Sequence, residues 1–133
     1  MDHITIIRLK KPRSNDINEE LQWIGASLGL FNLRDKDRSC FRIFIELIKN
    51  ARTNDDPVSS DQIAYRLNLT RGTVIHHVNK LINAGIVEKE GNKGYNLRTN
   101  NLSELIEELQ KDMTRNFEDL KKVADGIDRK LKR

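Results

Sequence analysis

The segment Pro57–Leu81 contains two helix-start signals a short distance apart, and this limits the folds open to the chain. Ser59 is followed three residues later by Gln62, the pattern of a capping box, and Thr70 precedes a second apolar-periodic run. Each cap follows an apolar residue, and each can form a hydrophobic staple with one at the fourth helical position. Helices this short are marginal alone, so they must pack on each other and on a third element.

The second of these helices has two distinct faces. Val74, Val78 and Leu81 recur at helical spacing and are predicted to lie in the core. The opposite face is polar and has no acidic residue; it carries Gly72, Thr73, His76, Asn79 and Lys80. Arg71 stands at the amino end, where backbone N–H groups already favour phosphate. Such a face suits the major groove of DNA, although an ordinary solvated helix face can have the same composition.

A β-hairpin is predicted directly after this helix. Gly85 is a helix stop, and the β-prone runs Ile86–Val87 and Tyr95–Leu97 flank a Gly-Asn-Lys-Gly turn. The order helix, turn, helix, hairpin is that of a winged helix-turn-helix. We therefore predict a mainly α fold with a small β-hairpin wing.

The stretch TRGTVIHHVNKLINAGIVEK makes the resemblance more specific. It resembles the recognition helix and wing start of the ArsR-like winged helix-turn-helix transcriptional regulators, with His77-Val78 and Ala84-Gly85-Ile86-Val87 as the matching positions. The resemblance covers about residues 39–98. It implies a sequence-specific double-stranded DNA-binding regulator, with a recognition helix at about 70–84 in the major groove and a wing at about 86–98 on backbone or minor groove.

Candidate DNA-binding residues follow from the polar face of the helix and from the expected wing. They are Arg71, Thr73, His76, Asn79, Lys80, Lys89, Lys93, Tyr95 and Arg98. A twofold regulator reads a roughly palindromic site, so the expected partner is an inverted repeat in double-stranded DNA.

The last third of the chain predicts one long helix. Asn101 can cap it with Glu104 at the third helical position, and the helix to Leu131 would be about 45 Å long. Its apolar residues recur at heptad spacing with one four-residue stutter, which predicts a homodimer through a coiled-coil-like seam. The alternative is a bent helix folded back on its own domain, and Gly126 is a candidate for a bend. The predicted seam contains Leu102, Ile106, Leu109, Met113, Phe117, Leu120, Ala124, Ile127 and Leu131.

The first third predicts an arm and an amphipathic helix. Residues 1–13 have four basic groups and one acid around a β-prone run, so they suit a strand, a basic arm on DNA or a flexible tail equally. From Ile17 an apolar stripe continues through Leu21, Ile24 and Leu28 until Gly29. The resemblance implies that a helix here packs against the partner subunit. Leu21, Ile24 and Leu28 are therefore included in the predicted dimer interface.

Composition agrees with an intracellular DNA-binding protein. The net charge is +4, and residues 58–99 hold six basic and three acidic side chains, which favours a polyanion partner. Cys40 is the single cysteine and lies in an apolar helical run beginning at Ser39, so we expect a buried hydrophobe in a reducing compartment. The sequence predicts no membrane span and no secretory signal, and we expect a cytoplasmic location.

Other chemistry has little support in the sequence. His76 and His77 are adjacent and point about 100° apart, so they do not form the i, i+4 pair that binds a metal on one helix. The Cys-rich or His/Asp-rich ligand sets of metal-sensing ArsR-like proteins are absent, and we predict no metal, no cofactor and no enzyme activity. The sequence does not identify a small-molecule effector.

The resulting division of the chain is an arm with an amphipathic helix at 1–36, a winged helix-turn-helix domain at 37–99 and a dimerisation helix at 100–133. Two other functions remain open. The first is a winged-helix protein-interaction module of a transcription assembly that does not bind DNA alone, and the second is a metabolite-sensing regulator with a ligand site beside the dimer helices.

Overall fold

Five helices and one antiparallel hairpin make up the computed structural model over the residues that it describes, 6–31, 38–53 and 56–132. The elements are α1 (Ile17–Ser27), α2 (Ser39–Thr53), α3 (Ser60–Leu67), α4 (Arg71–Asn83), β1 (Val87–Glu90), β2 (Gly94–Leu97) and α5 (Leu102–Leu131). α3 and α4 form the helix-turn-helix, the hairpin forms the wing, and α5 is the long C-terminal helix. This is the predicted winged helix-turn-helix fold.

Side-chain caps set the beginnings of the helices. Ser59 Oγ accepts a hydrogen bond from the backbone N–H of Gln62 at 3.1 Å, and Gln62 Oε1 accepts one from the Ser59 N–H at 3.0 Å. Thr70 Oγ1 accepts the Thr73 N–H at 3.1 Å, and Asn101 caps α5. The predicted capping box and caps are confirmed, and they satisfy backbone donors that a helix start leaves unpaired.

Left-handed residues terminate both helices of the helix-turn-helix. Asn68 has φ 56° and Gly85 has φ 78°. After α3 the Leu69 N–H bonds back to the Ala64 carbonyl at 2.9 Å. After α4 the equivalent bond joins the Ile86 N–H to the Leu81 carbonyl at 3.0 Å, so the wing begins at once.

The inner face of α4 lies at the centre of the molecule. Val74, Val78 and Leu81 are fully buried, as predicted, together with Phe44 of α2 and Ile63 of α3. Cys40 is also buried in this core, as expected. Because α4 has its apolar side chains on one side, their burial turns its polar side outward.

The core also recruits residues from both ends of the chain. Leu28 and Leu30 enter it from the end of α1, and Leu105 and Leu109 enter it from the first turns of α5. Leu28 and Leu109 were predicted to face a partner subunit. Their burial inside this chain leaves them little surface for such a contact, because each fills space within its own core.

The wing is attached to the start of α3 through its second strand. β1 and β2 pair in the register Val87↔Leu97 to Glu90↔Gly94. Val58 makes an isolated bridge with Tyr95, with reciprocal backbone hydrogen bonds of 2.9 and 2.8 Å. Gly94 has φ 132°, and a Cβ at this position would lie 2.5 Å from the Val58 carbonyl oxygen. Only glycine fits both this conformation and this approach.

The segment before α1 is extended and lies along that helix. Residues 6–12 adopt neither helix nor strand, and the Ile7 N–H donates to the Ser27 carbonyl at 2.8 Å. Trp23 Nε1 donates to the Leu9 carbonyl at 3.3 Å. The β-prone run was predicted at Ile4–Ile7; Ile6 and Ile7 belong to no strand, and Ile4 and Thr5 lie outside the described residues.

α5 is continuous through Gly126 to Leu131, and the exposure of its second half shows that it does not fold back on its own domain. Only its first turns pack on the core. Beyond Met113 its apolar side chains are exposed in the single chain, with Phe117 at 64%, Leu120 at 63% and Leu131 at 76% of full exposure.

We expect Gly94→Ala to lower the free energy of unfolding by about 2–4 kcal/mol, because the methyl group meets the Val58 carbonyl and strains the backbone. Gly91→Ala is the matched control. Gly91 has φ 52° and open space around it, so its substitution should cost about 1 kcal/mol. Urea denaturation of both variants measures the difference, and equal decreases would show that the Val58 contact does not require glycine.

Candidate nucleic-acid interface

The polar face of α4 is open to solvent along most of its length. Gly72, His76, Asn79 and Lys80 are exposed, and Thr73 is half-buried. These five residues lie opposite the buried stripe, as the helical period predicted, and no acidic side chain of α4 interrupts them. The face offers a hydroxyl, an imidazole, an amide and the Lys80 ammonium within one helix width.

Arg71 begins α4 beside a carboxylate that its own helix does not supply. Its Nε lies 3.6 Å from Asp61 Oδ1 of α3, and both side chains are largely exposed. An exposed ion pair of this kind contributes little to stability, so the Arg71 guanidinium can exchange Asp61 for another anion at little cost. Asp61 lies on α3, so the residue pattern of α4 alone did not indicate it.

Thr73 is held against the helix cap. Its hydroxyl oxygen accepts a hydrogen bond from Thr70 Oγ1 at 2.8 Å, while its backbone N–H donates to the same Thr70 oxygen. This keeps the Thr73 side chain at the amino end of α4, near Arg71.

The second half of the polar face borders the chain after α1. Lys80 Nζ donates a hydrogen bond to the Leu30 carbonyl, so this ammonium leans toward the α1–α2 connection. A shallow groove of about 450 Å³ runs between them. It is lined by Leu28, Gly29 and Leu30 on one side and by His76, Asn79, Lys80, Asn83 and Ala84 on the other.

The wing carries balanced charge. Lys89 and Lys93 are exposed as expected for wing contacts, but Glu88 and Glu90 are exposed on the first strand of the same hairpin. Glu90 Oε1 accepts a hydrogen bond from Asn96 Nδ2 at 3.0 Å. Lys93 lies in the turn, where its N–H donates to the Glu90 carbonyl at 2.9 Å. The cation nearest the hairpin tip is therefore Lys93.

Tyr95 was predicted to contact DNA, and the structure buries it instead. Its backbone pairs with Val58, and only 9% of the residue is exposed. In the alternation of β2, Tyr95 and Leu97 share one side of the strand, and both are buried against the core.

Arg98 was also predicted in the wing, and it acts within the fold. Its Nη1 lies 2.6 Å from Asp112 Oδ2 of α5 and 3.3 Å from the Gly85 carbonyl at the end of α4, and only 20% of the side chain is exposed. Glu108 lies 3.5 Å from its Nη2. The hydrogen bond to Asp112 raises the pKa of Arg98, and the same bond lowers the pKa of the Asp112 carboxyl. Arg98 thus joins β2, α4 and α5 and is not available to DNA.

Tyr65 is a surface residue that the sequence argument did not select. It is 90% exposed on α3, four residues after Asp61, so it lies on the same side of α3 as the start of α4. The available signal was an aromatic side chain outside the apolar stripe that contains buried Ile63. Nearby Arg66 is paired with Glu46 at 3.3 Å.

Two other kinds of feature are absent from the part of the chain that the structure describes. No group of three or more His, Cys, Asp or Glu side chains there could hold a metal ion. None of the helices seen there combines the length and apolar character needed to cross a membrane.

Comparison with known proteins identifies the same region. Residues 45–96 match the model of a family described as an HTH domain, which covers α2 from Ile45 through most of β2. No curated protein and no solved structure matches the chain significantly. The family match and the fold together support a helix-turn-helix DNA-binding domain.

Asp112→Asn should lower stability at neutral pH by removing the charged acceptor of Arg98. Because the folded protein lowers the pKa of Asp112, the stabilisation is present above the ordinary aspartate value and disappears as pH falls through the folded value. The difference in unfolding free energy between wild type and variant should therefore be constant near neutrality and shrink in acid.

Asp119→Asn is the control for this measurement, since Asp119 is exposed on the same helix. Urea titrations across the acid range compare both variants with wild type. An Asp112→Asn difference that does not shrink with acid would contradict the assignment of the stabilisation to the Arg98 ion pair.

Proposed function

We propose that this protein is a homodimeric, sequence-specific transcriptional regulator of double-stranded DNA, with α4 in the major groove and the wing on the backbone or minor groove. The observation that carries this proposal is the exposed, acid-free polar face of α4 within a helix-turn-helix. Residues 39–98 resemble ArsR-like regulators, and this resemblance supports the same function. The chain lacks the metal-binding residues of the metal-sensing members.

The exposed side chains divide into two roles. His76 and Asn79 lie in the middle of the open face and can hydrogen-bond to base edges. Arg71 at the amino end and Lys93 at the wing tip are suited to phosphates, which set position and salt dependence. The remaining candidates can each add a contact to the DNA backbone. Thr73 and Lys80 lie beside His76 and Asn79, and Lys89 lies farther from the wing tip than Lys93.

The apolar stripe on the second half of α5 supports association with a second copy. At about 100° per residue, the stripe from Ile106 to Leu131 is rotated by roughly 60° from the core-facing side of Leu105 and Leu109. A partner helix would remove this stripe from water, at about 1.5–3 kcal/mol for each large apolar side chain fully buried. The proposed seam is Ile106, Met113, Phe117, Leu120, Ala124, Ile127 and Leu131, with Leu102 at its start.

The first helix can extend this interface. Leu21 and Ile24 are half-buried, so part of each side chain remains on the surface of α1. A dimer with twofold symmetry presents two α4 helices to one face of the duplex, which requires half-sites arranged as an inverted repeat.

A protein-interaction module is the second candidate, and the wing favours it. Glu88 and Glu90 offset the two wing lysines, and exposed Tyr65 provides an aromatic contact next to α4. Such a surface suits a protein partner as well as a phosphate backbone.

Selection of binding sequences from a random duplex pool, followed by titration of the selected duplex at several salt concentrations, separates these functions. An enriched inverted repeat with a steep salt slope supports the dimeric DNA reader. Salt-sensitive binding without enrichment indicates non-specific binding, and no binding at low salt favours the protein-interaction module.

Asn79→Ala and Lys93→Ala should have different effects on DNA binding. Loss of the Asn79 amide should change the preferred base at one position in each half-site. The binding free energy that discriminates against other bases at that position should fall by about 1–3 kcal/mol. Loss of the Lys93 ammonium should weaken all sequences alike and reduce the salt slope by about 1. Repeating the selection and salt titration measures both, with Lys122→Ala on α5 as the control. The opposite pattern would reverse the roles of helix and wing.

Leu120→Glu should convert the dimer to monomer, since it inserts a charge into the apolar stripe of α5. Lys122→Glu changes charge on the opposite side of the same helix and should leave the dimer intact. Sedimentation velocity over a range of protein concentrations reports the state of each variant, and circular dichroism checks the fold. A Leu120→Glu protein that remains dimeric would locate the interface outside α5.

A further inference from the structure

The extended segment before α1 has the most one-sided charge in the described structure. Residues 6–15 contain Arg8, Lys10, Lys11 and Arg13 and no acidic residue. All four cations lie at the surface, and within the residues that the structure describes none of them has an ion-pair partner. By contrast, the lysines of α5 alternate with carboxylates, as in the Lys121–Asp125 pair at 2.8 Å.

Two hydrogen bonds give this segment a direction. The Ile7 N–H donates to the Ser27 carbonyl at the end of α1, and Trp23, one turn earlier, donates to the Leu9 carbonyl. The segment therefore runs antiparallel to α1, with Arg8 near the carboxyl end of the helix and Arg13 near its amino end.

The carboxyl end of α1 adjoins the face of α4 assigned to DNA. Ser27 is followed directly by Leu28, Gly29 and Leu30, which line the groove shared with His76 and Asn79. Lys80 Nζ bonds to the Leu30 carbonyl across this groove. The row of cations thus begins at the edge of the α4 polar face and leads away from it.

We infer that residues 6–13 form a basic arm that binds the phosphates of the same duplex next to the groove read by α4. This inference rests on the proposed function. From Arg8 to Arg13 an extended chain spans up to about 17 Å, a length over which duplex DNA carries about ten phosphate charges. The arm adds affinity and salt dependence but reads no base.

The test compares two full-length variants on the duplex selected by the wild type. The arm variant carries Arg8→Gln, Lys10→Gln, Lys11→Gln and Arg13→Gln. The control variant carries Lys122→Gln, Arg129→Gln, Lys130→Gln and Lys132→Gln on and after α5, which removes the same charge from a different element. Fluorescence anisotropy at a series of salt concentrations gives the slope of log affinity against log salt.

The arm variant should reduce the magnitude of that slope by about 3.6, since each of the four phosphates that the protein no longer neutralises lowers it by about 0.9, and it should keep the selected sequence. The control should keep the wild-type slope. In hydroxyl-radical footprinting, the arm variant should lose the protection of the DNA backbone next to the α4 contacts and should keep the wild-type protection elsewhere. Trp23 is the sole tryptophan and contacts Leu9, so its emission should respond to duplex in the wild type and less in the arm variant.

Equal slopes for wild type and arm variant would overturn the inference while leaving DNA recognition by α4 intact. An equal reduction in both variants would also overturn it, because it would reflect net charge alone. Arm-dependent binding to vesicles of anionic lipid, with no arm effect on the duplex, would assign the cations to a membrane surface instead. A wild type that binds no duplex would contradict the proposed function itself.

Discussion

Burial of one side of α4 is the constraint on which the rest of the structure depends. Val74, Val78 and Leu81 are fully buried among side chains from α2, α3 and α5, so rotation of α4 about its axis would expose them. The outward direction of His76 and Asn79 follows from this packing. The cap at Thr70 and the left-handed Gly85 then fix where the helix begins and ends. A recognition surface is thereby positioned by the core.

Local signals made much of this fold predictable. Capping residues, helix-stop glycine and the hairpin turn act over a few residues, so Ser59, Thr70, Gly85 and the wing were all found from the sequence. The buried and exposed sides of α4 were found for the same reason, since both follow from one helical period.

The errors concern residues whose environment is set by distant segments. Tyr95 and Arg98 have the chemistry of DNA contacts, but Val58 and Asp112 engage them within the fold. Leu105 was missed because the heptad pattern selected Ile106 beside it, and only the packing of α5 on the core distinguishes the two. Two residues next to the α4 surface belong to another helix and were missed for that reason, Asp61 and Tyr65. Such pairings require knowledge of which elements meet.

The joint at Arg98 has a mechanical consequence. It ties the end of α4 to Asp112, from which α5 extends for about 28 Å to Leu131. A tilt of α5 by about 10° about this contact, which lies beside the end of α4, moves the far end of α5 by about 5 Å. If two copies associate through the distal halves of α5, small rotations at each Arg98–Asp112 contact change the distance between their two α4 helices. A dimer of this geometry would tolerate variation in the spacing between half-sites without unfolding either domain.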